Sequence, residues 1–170
     1  MEYMHDTLSP YKGMQKRNLI LFPHRIAPEK QLDIFLDLKD SLPQYEFIVC
    51  QEKQLSKNEY HNLLGEAKMV FSANLQETLG ISWYEGALVG ALPLVPDRLS
   101  YSEMAIHEFK YPSIWTKNFN SYKKFKPEIV NKIVDMMNNY KEYRKPLEKQ
   151  MLQLKKFFNG QRLYGSIKSV

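Results

Sequence analysis

The apolar positions of this chain fall into short unbroken runs, separated by longer stretches where apolar residues recur at helical spacing. Five runs have strand length: "NLILF" at 18–22, "EFIVC" at 46–50, "KMVFSA" at 68–73, "LPLV" at 92–95 and "PSIW" at 112–115. None alternates with polar residues, as expected of strands covered on both faces. Helices are predicted between them. "APEKQLDIFLDLKD" opens with Pro28 and Glu29, both suited to a first turn, and sets Leu32, Phe35 and Leu36 on one face. In "SKNEYHNLLGEA", Ser56 is followed three residues later by Glu59, the spacing of a capping box. "SWYEGALVG" predicts a third helix, broken by "GALP", and "SYSEMAIHEF" a short fourth. Alternating strands and helices predict an α/β/α sandwich around a parallel sheet. Ligands of such sheets bind beyond the carboxyl ends of the strands. The loops after Phe22, Cys50, Ser72 and Val95 are therefore the ones to search for chemistry.

Beyond residue 118 the pattern becomes purely helical. Pro127 is predicted to open a helix with Ile129, Ile133 and Met137 at steps of four, and a second helix begins near Pro146 with Leu147, Met151, Leu154 and Phe158 on one stripe. Both carry lysines opposite the stripe, which predicts packing on the sheet domain by the apolar side. The expected organisation is a lead-in over 1–17, a core over 18–118 and a helical segment over 119–170 packed on the same domain. A length of 170 residues suits one domain with a sizeable core.

Charge modifies this picture at one end. Residues 1–116 hold 11 Lys+Arg against 15 Asp+Glu, and residues 117–170 hold 13 against 4. The basic end is either a solvated helical face or a contact for an anionic partner, nucleic acid included. No apolar run is long enough to span a bilayer, and "MEYMHDTLSPYKG" lacks the continuous apolar stretch of a signal peptide. The single cysteine, Cys50, excludes an internal disulfide and is expected to be a buried strand thiol. A cytoplasmic location fits these features.

Two loops hold candidate chemistry. In "FPHRIAPEK", Arg25 and Lys30 flank the turn from strand to helix, Lys30 just inside the predicted helix start. A planar guanidinium, a point charge and a helix N-terminus together suit a phosphate or diphosphate. His24 beside them is either an acid–base group or a hydrogen-bonded structural residue. In "FSANLQETLGISWYEGALVGALPLV", Ser72 ends a strand, Glu77 and Gly80 lie in the following loop, and Glu85 falls in the next helix. Carboxylates accept hydrogen bonds from sugar hydroxyls. Gly80 permits close backbone approach, with the Gly80–Ile81–Ser82 amides at the helix mouth. Surface residues without a ligand remain the alternative for both glutamates.

Taken in this order and spacing, the two loops resemble the C-terminal, donor-binding domain of retaining GT-B glycosyltransferases, the group marked by an E-x7-E pair. "FPHRIAPEKQLDIFLDL" is similar to that group's strand–turn–helix with Arg and, five residues on, Lys. "SANLQETLGISWYEGALVGALPLV" is similar to its block of Ser, Glu, Gly, Glu, a small-residue helix, Gly and Pro, with Gly90 and Pro93 at the turn into the next strand. The resemblance covers about residues 18 to 106. It implies a Rossmann-like fold and transfer of a hexose from a nucleotide diphosphate sugar, such as UDP-glucose or GDP-mannose, without a metal or other cofactor. It implies catalytic roles for Arg25, Lys30 and Glu77. It further implies donor contacts from His24, Arg25, Lys30, Ser72, Glu77, Leu79, Gly80, Ile81 and Glu85, the last to the ribose. Three positions depart from the group: His24 and Gln31 stand where glycine is frequent, and Gly86 where alanine is common. Full members also have an N-terminal domain that binds the acceptor, so the resemblance implies such a domain or a partner chain. Two other readings stay open: a non-catalytic or DNA-associated module, and a GT-B epimerase or phosphorylase.

Overall fold

Alternate residues of each strand feed two different cores, which is why the buried stretches of the strands are apolar on both faces. The computed structural model describes residues 6–76 and 81–158. Its strands are β1 (Arg17–Phe22), β2 (Glu46–Val49), β3 (Ala67–Phe71), β4 (Leu92–Pro96) and β5 (Lys110–Tyr111), all pairing in parallel in the order β2-β1-β3-β4-β5. Its helices are α1 (Leu32–Ser41), α2 (Lys57–Glu66), α3 (Ile81–Leu88), the single turn α4 (Tyr101–Met104), α5 (Phe119–Asn138) and α6 (Tyr140–Phe158). Ile20, Phe22, Met69, Phe71, Leu92 and Leu94 face α1 and α5, meeting Ile34, Phe35, Ile129 and Ile133. Leu19, Leu21, Ile48, Val70 and Val95 face the other way, against Leu64 of α2 and Trp83 and Tyr84 of α3. The period of two along a strand thus builds a three-layer α/β/α sandwich from strands that look uniformly apolar.

Local signals explain several boundaries. Ser56 and Glu59 form the predicted capping box, with Ser56 Oγ accepting from Glu59 N and Glu59 Oε1 from Ser56 N, both at 3.1 Å. Cys50 is buried, but it opens a 3₁₀ turn just past β2 rather than ending the strand, and burial pushes its thiol up to about 12. Such a thiol is protonated and inert at neutral pH.

Four expectations need correction. "PSIW" is not a strand: Ser113–Thr116 is a 3₁₀ turn, and the edge strand is the preceding Lys110–Tyr111. "SYSEMAIHEF" gives only the turn of α4 followed by a 3₁₀ turn over His107–Phe109. Pro127 and Pro146 lie inside helices rather than opening them. The residue that caps the start of α5 is Asn118, whose Oδ1 accepts from Ser121 N at 2.8 Å. Its first turns are anchored on α1, where Asp37 takes a hydrogen bond from Tyr122 and an ion pair from Lys126. Pro127 and Lys123, whose carbonyl loses its usual donor, are both exposed, so water can satisfy that carbonyl. Finally, α1 begins at Leu32. Pro28–Lys30 is a separate 3₁₀ turn, and Gln31 breaks the path with a left-handed φ of 54°.

The last helix ties the layers together. Leu147 joins the core under α1 and α5, and Leu154 joins the core under α2 and α3, so α6 crosses from one face to the other. Gln150 pins it midway, accepting from Ile106 N at 2.6 Å and donating to Met104 O at 2.7 Å. Among the described residues no helix is long and apolar enough to cross a membrane.

Candidate active site

In a sheet of order β2-β1-β3-β4-β5 the chain leaves β1 toward β2 and later returns to add β3 on the other side. The loops after β1 and β3 therefore lie side by side at the carboxyl edge, at the switch of direction where open α/β sheets take their ligands. These are the two loops with candidate chemistry.

The structure joins them firmly. Leu75 N donates to Glu29 O at 2.7 Å, and Lys30 Nζ donates to Gln76 O at 3.1 Å. His24 is buried, its ring edge-on to Phe22, and its Nε2 lies 2.9 Å from Phe71 O. A carbonyl only accepts, so Nε2 carries the proton, and Nδ1 faces Asn74 Nδ2 at 3.4 Å. The His24 ring is thus hydrogen-bonded within the fold, between the end of β3 and the loop that follows it. Ser72 is also buried: its Oγ lies 3.0 Å from Tyr101 Oη and accepts from Asn74 N at 3.2 Å.

Arg25 and Lys30 stand at this edge in different settings. Arg25 is 71% exposed and pairs with Glu29 at 3.3 Å. Lys30 sits in the 3₁₀ turn rather than inside the helix start, because Gln31 intervenes. Gln31 occupies a left-handed conformation, which glycine adopts without steric cost. Here its side chain fixes that conformation: buried Nε2 donates to Ala73 O at 2.8 Å and to Thr116 O at 2.6 Å.

Glu77, Leu79 and Gly80 lie outside the described residues. Ile81 opens α3 at the carboxyl edge. Glu85 follows one turn later and turns toward α2. Its carboxylate is 19% exposed and 3.8 Å from His61 Nε2. Burial raises its pKa, and nearby Lys57 opposes the rise. Burial, then Lys57, lower that of His61. Among the described residues Glu85 makes no hydrogen bond or ion pair with Arg25 or Lys30. Gly86 has a packing reason to differ from alanine, since a Cβ there would lie 2.7 Å from Val70 Cγ2.

Sequence reasoning missed the organising residue of this edge. Arg98, two residues past β4, donates through Nε to Asn74 O (2.8 Å), through Nη2 to Ala73 O (2.9 Å) and through Nη1 to Ser113 O (2.9 Å), and it also reaches Thr116 Oγ1 (3.1 Å). The planar fork clamps the β3 loop to the segment after β5. Tyr111 completes the floor, donating to Ser72 O at 2.6 Å. The available signal was an arginine in "LVPDRLS", in the fourth loop of the carboxyl edge.

The sequence matches no protein-family model and no curated protein. Its fold does match a solved structure. The crystal structure of TarM, a glycosyltransferase of the GT-B type, superposes with a TM-score of 0.68 over 92% of this chain, at 15% identity. The chain spans 36% of the length of TarM. The fold is thus Rossmann-like and glycosyltransferase-like.

Proposed function

We propose that this chain is the donor-binding part of a retaining glycosyltransferase, which transfers a hexose from a nucleotide diphosphate sugar to an acceptor. The observation that carries this reading is the meeting of the β1 and β3 loops at the switch point of the sheet, with Arg25 and Lys30 on the rim and a polar floor of Gln31, Ser72, Arg98 and Tyr111 beneath. Arg25 and Lys30 would take the diphosphate. Glu77 would accept from the sugar hydroxyls, the backbone near Leu79, Gly80 and Ile81 would approach the sugar and phosphate, and Glu85 would hold the ribose. His24 and Ser72 would act indirectly by fixing the two loops. In the reaction the bond from the anomeric carbon to the diphosphate oxygen breaks and a bond to the acceptor oxygen forms. The acceptor proton leaves with the diphosphate, and the two cations stabilise the charge that develops there.

The open edge argues that a second domain completes the site. Ile26, Leu75, Leu99 and Ile114, from four different carboxyl-edge loops, are 45%, 37%, 41% and 54% exposed. Leu99 holds a left-handed φ of 56°, a conformation costing about 1 kcal/mol for such a residue. An acceptor-binding domain would cover this rim. A charge pair 4 Å apart gains about 1 kcal/mol in water and about 4 kcal/mol at the effective dielectric of a protein surface. Weak donor binding and slow transfer are therefore expected of this chain alone. Calorimetry with UDP-glucose and GDP-mannose tests the reading. Binding by the unchanged chain and its loss in Arg25→Ala/Lys30→Ala are expected, and equal heats from both proteins would remove the site. Sugar-nucleotide interconversion without an acceptor would favour the epimerase alternative.

A further inference from the structure

The opposite edge of the sheet holds a cluster of cations that the proposed donor site does not use. A cavity of about 520 Å³ lies where the chain enters β1 and β3 and where α5 passes into α6. Lys16, Lys68, Lys141 and Arg144 line it together with Tyr140, and among the described residues Glu142 is the one carboxylate on its wall. Two of the cations are held in place. Lys16 Nζ donates to Val89 O at 2.6 Å. Lys68 Nζ donates to Asn18 Oδ1 at 2.7 Å and sits 5.9 Å over the Tyr140 ring. Tyr140 in turn donates to Gly90 O at 2.6 Å, beside the Lys16 side chain.

Among the described residues no carboxylate makes an ion pair with these four side chains, and nearby Glu66 is paired with Arg17 instead. Burial first, and then the Arg144 charge, lower the pKa of Lys16 to about 7. Cations gathered on a partly enclosed wall, with a carbonyl rather than a carboxylate for the deepest one, are what a bound anion would stabilise.

We propose that this cavity is a binding site for a phosphate monoester, its phosphate held by Lys16, Lys68 and Arg144. Lys68, Lys141 and Arg144, joined by Lys16 once it takes up a proton, face one carboxylate among the described lining residues and suit a dianion, and the volume leaves room for a group esterified to it. The site is separate from the proposed donor site, since strands of five or six residues put the two edges about 16 Å apart. It does not depend on the transferase reading.

The test is calorimetry at pH 8 with glycerol 2-phosphate and with inorganic phosphate, on the whole chain and on variants. Both probes are expected to bind the unchanged chain and the Arg25→Ala/Lys30→Ala variant alike. Binding is expected to weaken about tenfold in Arg144→Ala, an exposed position whose loss leaves the core intact, and at least as much in Lys16→Met. The heats are expected to differ between two buffers of unlike ionisation enthalpy, because a bound anion returns the proton to Lys16. Absence of binding by glycerol 2-phosphate would overturn the proposal, even if inorganic phosphate bound. So would unchanged binding in Arg144→Ala, or loss of binding in the Arg25→Ala/Lys30→Ala variant instead.

Discussion

The two edges of the sheet both gather cations but are built in opposite ways. At the carboxyl edge a floor of buried Gln31, Tyr111 and Ser72 and half-buried Arg98 supports an exposed Arg25 and a half-buried Lys30. At the amino edge a cation itself is partly buried, tethered by one carbonyl and hemmed by the Gly90 turn and Tyr140. The first arrangement keeps stability and binding in separate residues. The second combines them, since the group that would meet a ligand also packs against the fold. Substitutions at the two edges should therefore differ in kind, and four of them can be ranked.

The largest effect is expected at the carboxyl floor. Arg98→Ala leaves the carbonyls of Asn74 and Ser113 without their donor and frees the β3 loop, so it should destabilise the chain by about 2–4 kcal/mol, read from the urea midpoint. At the amino edge, Gly90 holds a φ of +92°, and an added Cβ would meet Lys16 Cε at 3.1 Å and Tyr140 Oη at 3.2 Å. Gly90→Ala should cost about 1–2 kcal/mol in the same measurement. If Gly90→Ala proved harmless, the amino edge would be looser than described.

A smaller change, of opposite sign, is expected from Glu85→Gln. Burial raises the Glu85 pKa in the fold, so the protonated form is favoured there relative to the unfolded chain. Its contribution is fully present below the ordinary carboxylate pKa and is lost as pH rises through the raised value. Glu85→Gln should therefore be more stable than the unchanged chain at pH 7, with the advantage vanishing near pH 4. The same variant should bind nucleotide more weakly if Glu85 holds the ribose. Thermal melts at both pH values check the first part. The smallest stability effect belongs to the rim pair: Arg25→Ala/Lys30→Ala gives up an exposed ion pair and the Lys30–Gln76 hydrogen bond, and should lower stability by no more than about 1 kcal/mol.

Much of the fold was legible because burial on both faces imposes a simple signature. The runs around Leu19–Phe22, Phe47–Val49, Met69–Phe71 and Leu92–Val95 could only be strands between two cores. The Ser56–Glu59 cap was equally plain, since its partners are neighbours in sequence. What stayed hidden depends on distant partners. Pro127 looked like a helix start because proline favours first turns, whereas the anchoring of Tyr122 and Lys126 on Asp37 extends the helix before it. "PSIW" has strand composition, yet the Ser113 and Thr116 carbonyls are held by Arg98 as part of a turn. Arg98 and the Gln31 side chain bond to backbone atoms, and no sequence motif records which carbonyls will lie nearby. Of the candidate site, the rim cations and the two converging loops were legible. The floor that positions them was not.

The central claim is that Arg25 and Lys30 form a diphosphate-binding rim on a floor that folds without them. Calorimetry comparing a nucleoside diphosphate with its parent nucleoside, for uridine and guanosine, isolates the diphosphate contribution. The account predicts that the diphosphate binds the unchanged chain more tightly than the nucleoside, and that Arg25→Ala/Lys30→Ala erases this difference while the chain stays folded. A difference that survives in the folded double variant would contradict it.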